Sequence, residues 1–465
     1  MHPSTVSVLS LFMRWAIVGG GVLGTSLALR LRQQGHDVTV FEAADNLGGL
    51  AAPWAMGHDV QWDRHYHVTL LSDRRTNAYF DMLGLSDALL WGTPRTGYYG
   101  RDHVLRSATT PLEFLKLPDL TIVSKLRVAL TLAYGSTIRS GRRMERLTAE
   151  TWLRRWSGRR ALDAFWAPLL RAKLGTEHAS ASAAFIWSTI RRLSAARRAG
   201  LDAERFGTID GGYGRVFATC LERFAELSID VHLATPVASV KRTAHGLSVC
   251  TTDSSGATTE HEFDRVVVTT AAPLAARLCP DLLDGEQARL NTVNYVGIVC
   301  ASMLLRRPLG GYYLTYITDT DTPFTAVVEM TGLIDPAQVG GHTLVYLPRY
   351  TTADDPLFAL DDVGVQAEFW PFLQRMYPDL TPDDVLSFQV SRVPQVFAVP
   401  TLGYSDAAPS IGTSVPGLYL AGSANLPFAT LNVDDTLSLV DAVLLEDSLH
   451  PALPLSTVVG GGVRA

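Results

Sequence analysis

The chain has 465 residues, enough for two to three domains. Hydrophobic residues make up 47% and charged residues 18%, which excludes global disorder, and no apolar run reaches the length of a membrane span. The net charge of −6 hides an asymmetry: residues 101–200 hold 19 Lys and Arg against 7 Asp and Glu, a basic block that should attract anions. The four cysteines (Cys220, Cys250, Cys279 and Cys300) form no CxxC pair, so neither a zinc site nor a disulfide framework is expected, and a reducing, cytoplasmic setting fits.

In chain order, residues 1–12 read as an N-terminal extension. Arg14 follows the apolar Val6–Phe12 rather than preceding it, unlike a signal peptide, and Met13 is an alternative start. Trp15–Val18 predicts a buried strand, Gly19–Gly24 a glycine turn and Thr25–Gln34 a helix ended by Gly35. Val38–Phe41 predicts a second strand, closed by Glu42. Gly19, Gly21 and Gly24 fill the three places of GxGxxG. They serve the tight turn, close approach to a pyrophosphate, and helix–strand packing. The helix N-terminus, near Val22 and Leu23, would face the phosphates. Glu42, 18 residues past Gly24, and its neighbour Ala43 fall where ribose hydroxyls are read. A glycine turn without a ligand is the alternative. Gly48-Gly49-Leu50 forms a second doublet suited to close approach of a phosphate or ribityl chain, or else an ordinary turn.

Asp63-Arg64-His65-Tyr66-His67-Val68 follows. In extended chain His65 and His67 share a side, where they can hold an anion or move a proton, or simply fill a domain interface. Residues 76–205 read as mainly helical. Leu112–Tyr134 is apolar enough to line a tunnel or to be core. Arg139–Arg160 and Arg191–Arg198, with Trp152, Trp156 and Trp187, suit either peripheral contact of region 139–198 with an anionic membrane or a solvated surface. No nucleic-acid motif accompanies them. Arg171 and Lys173 can grip a carboxylate or phosphate, or be solvated. Leu201–Gly214 reads as a loop. Strands are expected at Ser228–Thr235, Leu247–Thr252, Phe263–Thr270, Asn294–Leu305, Tyr312–Thr318, Ala326–Glu329 and Thr343–Leu347. Tyr346, Arg349 and Tyr350 at the last strand's end are site candidates. Gln366–Tyr377 predicts a helix, Gly417–Ala421 a strand and Thr436–Leu445 a helix.

The acid at Glu42 followed by Gly48-Gly49 resembles the extended fingerprint of FAD enzymes of the amine oxidase, protoporphyrinogen oxidase and phytoene desaturase superfamily, with UDP-galactopyranose mutase as a relative. Leu50 replaces that family's arginine. Asp210–Gly214 resembles its GG-x-x-x-L element, Asp230–Val237 the strand and turn whose valine (Val237) meets the adenine end, and Phe263–Pro273 the strand that follows. Pro416–Ser423 resembles its closing G-L-Y-L-A-G-D, with Gly422 in place and Ser423 replacing the aspartate. Asn432 and Val433 would start a helix aimed at the flavin's pyrimidine carbonyl.

The resemblance implies an α/β fold with a Rossmann-like FAD-binding domain and a second α+β substrate domain. The expected FAD domain is discontinuous (13–75, 206–290 and 385–450), the substrate domain takes 76–205 and 291–384, and 451–465 is a C-terminal tail. It further implies FAD, expected to be non-covalent because no cysteine lies near Ser423; no metal and no nucleic acid are expected. The reaction would be hydride abstraction from a C–H or C–N bond of a mainly hydrophobic small molecule that can carry an anionic group. His65 and His67 would be catalytic and Tyr66 would touch substrate. Oxygen or a quinone would accept the electrons, since no second GxGxxG follows a strand. No lysine follows Lys241, so the lysine that holds water at the flavin in amine oxidases is missing and simple amine oxidation is disfavoured. The rival readings are a flavin-dependent isomerase resembling UDP-galactopyranose mutase, and an inactive flavin-binding scaffold.

Overall fold

The computed structural model describes residues 12–198, 205–253, 255–428, 430 and 432–449. The tail 451–465 and all of the extension but Phe12 lie outside them. Its first unit is a five-stranded parallel sheet in the order Asp230–His232, Asp37–Phe41, Arg14–Val18, Arg265–Val268, Leu418–Leu420. Its central strands read as unbroken apolar runs because both faces are covered. On one side Ile17, Val40 and Val267 pack against the helices Val22–Gln33, Gly212–Leu227 and Val433–Leu449. On the other, Ala16, Val18 and Val266 meet the antiparallel strands Val237–Arg242, Leu247–Thr252 and Thr258–Phe263 and the helix Ala272–Leu278.

The second unit is a seven-stranded sheet, in the order Val385–Ala398, Tyr295–Leu305, Thr343–Thr351, Ala326–Glu329, Leu314–Ile317, Thr96–Tyr99, Leu105–Ser107. Only its pair Thr96–Tyr99 and Leu314–Ile317 is parallel. Tyr295–Leu305 is buried at all 11 positions. With a period of two, Ile298, Cys300 and Leu304 face a cluster shared with the helical segment, whereas Val299, Ala301 and Met303 face the helix Asp362–Met376. The helical segment spans residues 111–198, and none of its helices is long and apolar enough to cross a membrane.

These elements redraw parts of the expected map. Strands Leu89–Gly92, Thr96–Tyr99 and Leu105–Ser107 interrupt the region read as helical. Within the expected loop 201–214, Phe206–Ile209 forms a strand between Thr69–Leu70 and Leu89–Gly92. The boundary at 385 falls at the start of a 14-residue strand that belongs to the second sheet, and the chain rejoins the first sheet only at Leu418. Alternation in Val385–Ala398 is weak because most of the strand is only half buried, which hid it.

Candidate active site

The parallel strands end at one edge. Val18 runs into Gly19, Phe41 into Glu42, Val268 into Thr269–Ala271 and Leu420 into Gly422. Beyond those carboxyl ends, where open α/β sheets place their ligands, lies a cleft of ≈ 420 Å³.

The glycines account for its shape at one end. Gly19 has φ +114, and a Cβ there would lie 2.4 Å from Thr269 Oγ1. A Cβ on Gly24 would come within 2.0 Å of the Gly19 carbonyl oxygen, so this glycine serves helix–strand contact and does not line the cleft. At Gly21 the nearest protein atom would be 3.8 Å away, so the space over it is free. Gly21 starts the helix Val22–Gln33 with no side-chain cap and no acid in the first turn. Unpaired N–H groups at such a terminus favour an anion, and Gly21, Val22 and Leu23 all line the cleft. The second doublet closes over the first loop. Gly48 N–H donates to the Gly20 carbonyl (2.9 Å), Gly48 has φ +136, and a Cβ on it would strike Ala52 Cα at 2.5 Å.

Glu42 lines the cleft and also braces the loop, accepting from Gly20 N–H (2.7 Å) and Ala44 N–H (2.9 Å). A carboxylate has about four acceptor positions, which leaves capacity for ribose hydroxyls. Ala43 and Val237 are not among the lining residues; Val237 starts its strand and packs into the core beneath the sheet. Gly422 and Ser423 do line the cleft, and Ser423 hydrogen-bonds the Tyr295 hydroxyl. Asn432 and Val433 line it as well. However, Asn432 Oδ1 accepts from Asp435 N–H, and Asp434 and Asp435 occupy the helix's first turn. These groups offset the positive end of that helix.

The same cleft holds side chains fit for chemistry. His65 is buried; its Nδ1 donates to the Leu50 carbonyl (2.8 Å) and its Nε2 has no partner. Burial lowers its pKa to about 4, so at neutral pH it is an uncharged imidazole with a free acceptor. His67 has Asp63 behind it, Nδ1 to Oδ2 3.8 Å. Asp63 is buried, which raises its pKa, while its neighbours, His67 first, pull the other way; its Oδ1 accepts from Tyr213 N–H. Lys173 Nζ donates to the Tyr66 hydroxyl (3.1 Å) and sits 4.6 Å from the Tyr350 ring centre. The Tyr66 and Tyr350 hydroxyls are 3.3 Å apart, and burial pushes both phenols upward.

Three expected contacts fall elsewhere. Arg171 is exposed outside the cleft, because adjacent helix positions point different ways. Tyr346 is fully buried, its hydroxyl donated to the Asp63 carbonyl (2.6 Å), so it holds the backbone beneath the histidines. Arg349 leaves by the opposite face of its strand, toward the Pro323 carbonyl and Asp355. Tyr350, one residue on, takes the cleft side. Asp63 is a supporting residue whose only signal in the sequence is its i, i+4 spacing to His67. Gln395 and Val396 also line the cleft, from the strand Val385–Ala398.

A profile of the flavin containing amine oxidoreductases matches residues 24–427. Protoporphyrinogen oxidase 2, chloroplastic/mitochondrial, of Arabidopsis thaliana is 29% identical over 119 residues, a match spanning 25% of this chain and only 23% of that protein. Among solved structures, a variant of putrescine oxidase superposes with TM-score 0.73 at 16% identity, covering 94% of this chain and 99% of its own. Reduced UDP-galactopyranose mutase gives 0.70 at 16% identity, covering 95% and 96%. Identities this low speak to the fold alone. The profile, which takes in most of the chain, settles the family: the protein belongs to the flavin-containing amine oxidoreductases.

Proposed function

We propose that the protein binds FAD non-covalently along the cleft and removes a hydride from a C–H or C–N bond of a mainly hydrophobic substrate bearing an anionic group, with oxygen or a quinone as final electron acceptor. The family makes it a flavin-dependent oxidoreductase by class. What carries the finer reading is one continuous cleft, from the uncapped helix at Gly21 to the cluster of His65, Tyr66, His67, Lys173 and Tyr350.

The residues fit that cofactor. The first glycine loop and the N–H groups at Val22 and Leu23 suit a pyrophosphate, and Glu42 suits ribose hydroxyls while repelling a 2′-phosphate. Leu50, where the family has arginine, adds apolar wall. Ser423 is a neutral donor and acceptor where the family places a carboxylate. None of the four cysteines lines the cleft, which supports non-covalent attachment. Bound FAD supplies the hydride acceptor.

The protein's own part is orientation and proton handling. His67, braced by Asp63, takes the substrate proton. His65 offers Nε2 as a hydrogen-bond acceptor. Lys173 and the Tyr66 hydroxyl hold the anionic group, and Ile298 and Val396 keep the surroundings apolar. The test is anaerobic mixing with apolar carboxylates and amines while flavin absorbance is followed. Bleaching by a substrate alone supports the oxidoreductase. Turnover seen only after prior chemical reduction of the flavin would instead indicate isomerase use.

A further inference from the structure

We infer that the helical segment near residues 111–160 docks on an anionic lipid bilayer, a role independent of the flavin reading. The helix Ile122–Thr137 is turned inside out. Its buried positions are Ser124, Lys125, Val128, Thr131 and Gly135, while Ile122, Val123, Leu126 and Leu130 face outward. A surface helix ordinarily turns its apolar stripe inward. Here the inward polar groups are built in. Lys125 Nζ donates to the carbonyls of Leu115 (2.6 Å) and Leu117 (2.7 Å), and the Thr131 hydroxyl donates to the Arg127 carbonyl (2.7 Å). The preceding helix Pro111–Lys116 buries no residue. Leu112, Ile122, Val123, Leu126 and Leu130 are exposed from 58% (Leu126) to 71% (Leu112). Apolar exposure concentrated this way marks a contact surface.

Charge selects the occupant. The Arg127 guanidinium donates to the carbonyls of Arg155 and Trp156, which sets the end of the helix Ala149–Ser157 beside the apolar face. Lys116, Arg155 and Arg160 are exposed, and none is ion-paired among the described residues. A shallow pocket of ≈ 520 Å³ adjoins the turn before the apolar helix. Arg101, Arg159 and Arg160 line it together with Asp119 and Asp163. Apolar side chains beside unpaired cations match acyl chains beneath anionic headgroups. A second copy of the chain would bring these cations against one another, which costs energy. Of the tryptophans of region 139–198, Trp152 and Trp187 are buried, whereas Trp156 is 37% exposed and stacks on Tyr134.

The test is cosedimentation of the full chain with vesicles of phosphatidylcholine alone, or with a quarter phosphatidylglycerol. The proposal expects binding to the anionic vesicles that weakens with salt. Leu126→Glu combined with Leu130→Glu should weaken it on the order of a hundredfold. Arg155→Gln and Arg160→Gln should each weaken it roughly fivefold. Circular dichroism and thermal midpoint should be unchanged in every variant, since these positions are exposed. Failure to bind at millimolar lipid, or equal binding to both vesicles, would overturn the proposal. So would a dimer that the leucine variants convert to monomer, for then a second copy covers this face.

Discussion

His65 and His67 are two residues apart, and burial separates their roles. His65 gives Nδ1–H to the Leu50 carbonyl and is held neutral, with its pKa lowered to about 4 from 6.5 by desolvation. The unfolded chain therefore binds this proton more readily than the folded one. Stability is unaffected above the unfolded value and falls as pH drops from about 6.5 toward 4, where the loss levels off on the order of 3 kcal/mol. His65→Asn should remove this part of the pH dependence, which denaturant unfolding across that range will measure. His67 faces the cleft with Asp63 behind it. We expect His67→Gln to lower kcat on the order of a hundredfold at unchanged flavin content, and Asp63→Asn to lower it by less. Steady-state kinetics beside flavin absorbance separates the two effects. Lys173→Gln should act on KM for an anionic substrate more than on kcat if, as proposed, Lys173 binds the substrate and His67 is the base. The histidines, tyrosine and lysine were legible by type and local spacing. That Lys173 enters the cleft and Arg171 does not was hidden, because only packing sets the rotation of the short helix Ala167–Leu174.

Between elements, the glycines of one fingerprint do different work, and substitution can tell them apart. Alanine at Gly24 would place Cβ 2.0 Å from the Gly19 carbonyl oxygen, so Gly24→Ala should destabilise the folded chain itself. Alanine at Gly21 would meet no protein atom closer than 3.8 Å. Gly21→Ala should thus keep the flavin-free thermal midpoint and lose flavin affinity. Thermal unfolding with and without added FAD distinguishes the two, and equal loss of stability in both would contradict the assignment. The strand–turn–helix–strand start was readable because apolar runs, glycines and an acid came in the right order. The helix starts at Val22, where the fingerprint puts its N-terminus. Thr343–Thr351 was expected to end at Leu347, before Pro348. It runs on because Pro348 pairs opposite Cys300 of the adjoining strand, and the period of two then sends Tyr350 into the cleft and Arg349 away from it.

For the molecule as a whole, the cleft gathers residues from segments that lie far apart in the chain. The glycine loops come from residues 19–50, Thr269–Ala271 from the middle and Gly422, Ser423, Asn432 and Val433 from the end, while the second sheet adds Ile298, Tyr350, Gln395 and Val396. The first set was legible because each piece follows a short buried strand with glycine or proline at its edge. The second was not, because a β-sheet residue shows its face but not what lies opposite. Nor did the sequence reveal the outward leucines of Ile122–Thr137, whose burial pattern inverts the ordinary rule. Since one cofactor would span these distant segments, added FAD should raise the thermal midpoint, with about 2.7 kcal/mol of stabilisation at a hundredfold excess over Kd. The most direct test of FAD binding is the visible absorption spectrum of the purified protein, before and after denaturation and removal of the precipitate. Oxidised-flavin bands are expected in the native protein and should pass into the supernatant as FAD. A protein that is colourless and stays so after incubation with FAD would contradict it, and flavin retained by the precipitated chain would contradict the non-covalent site.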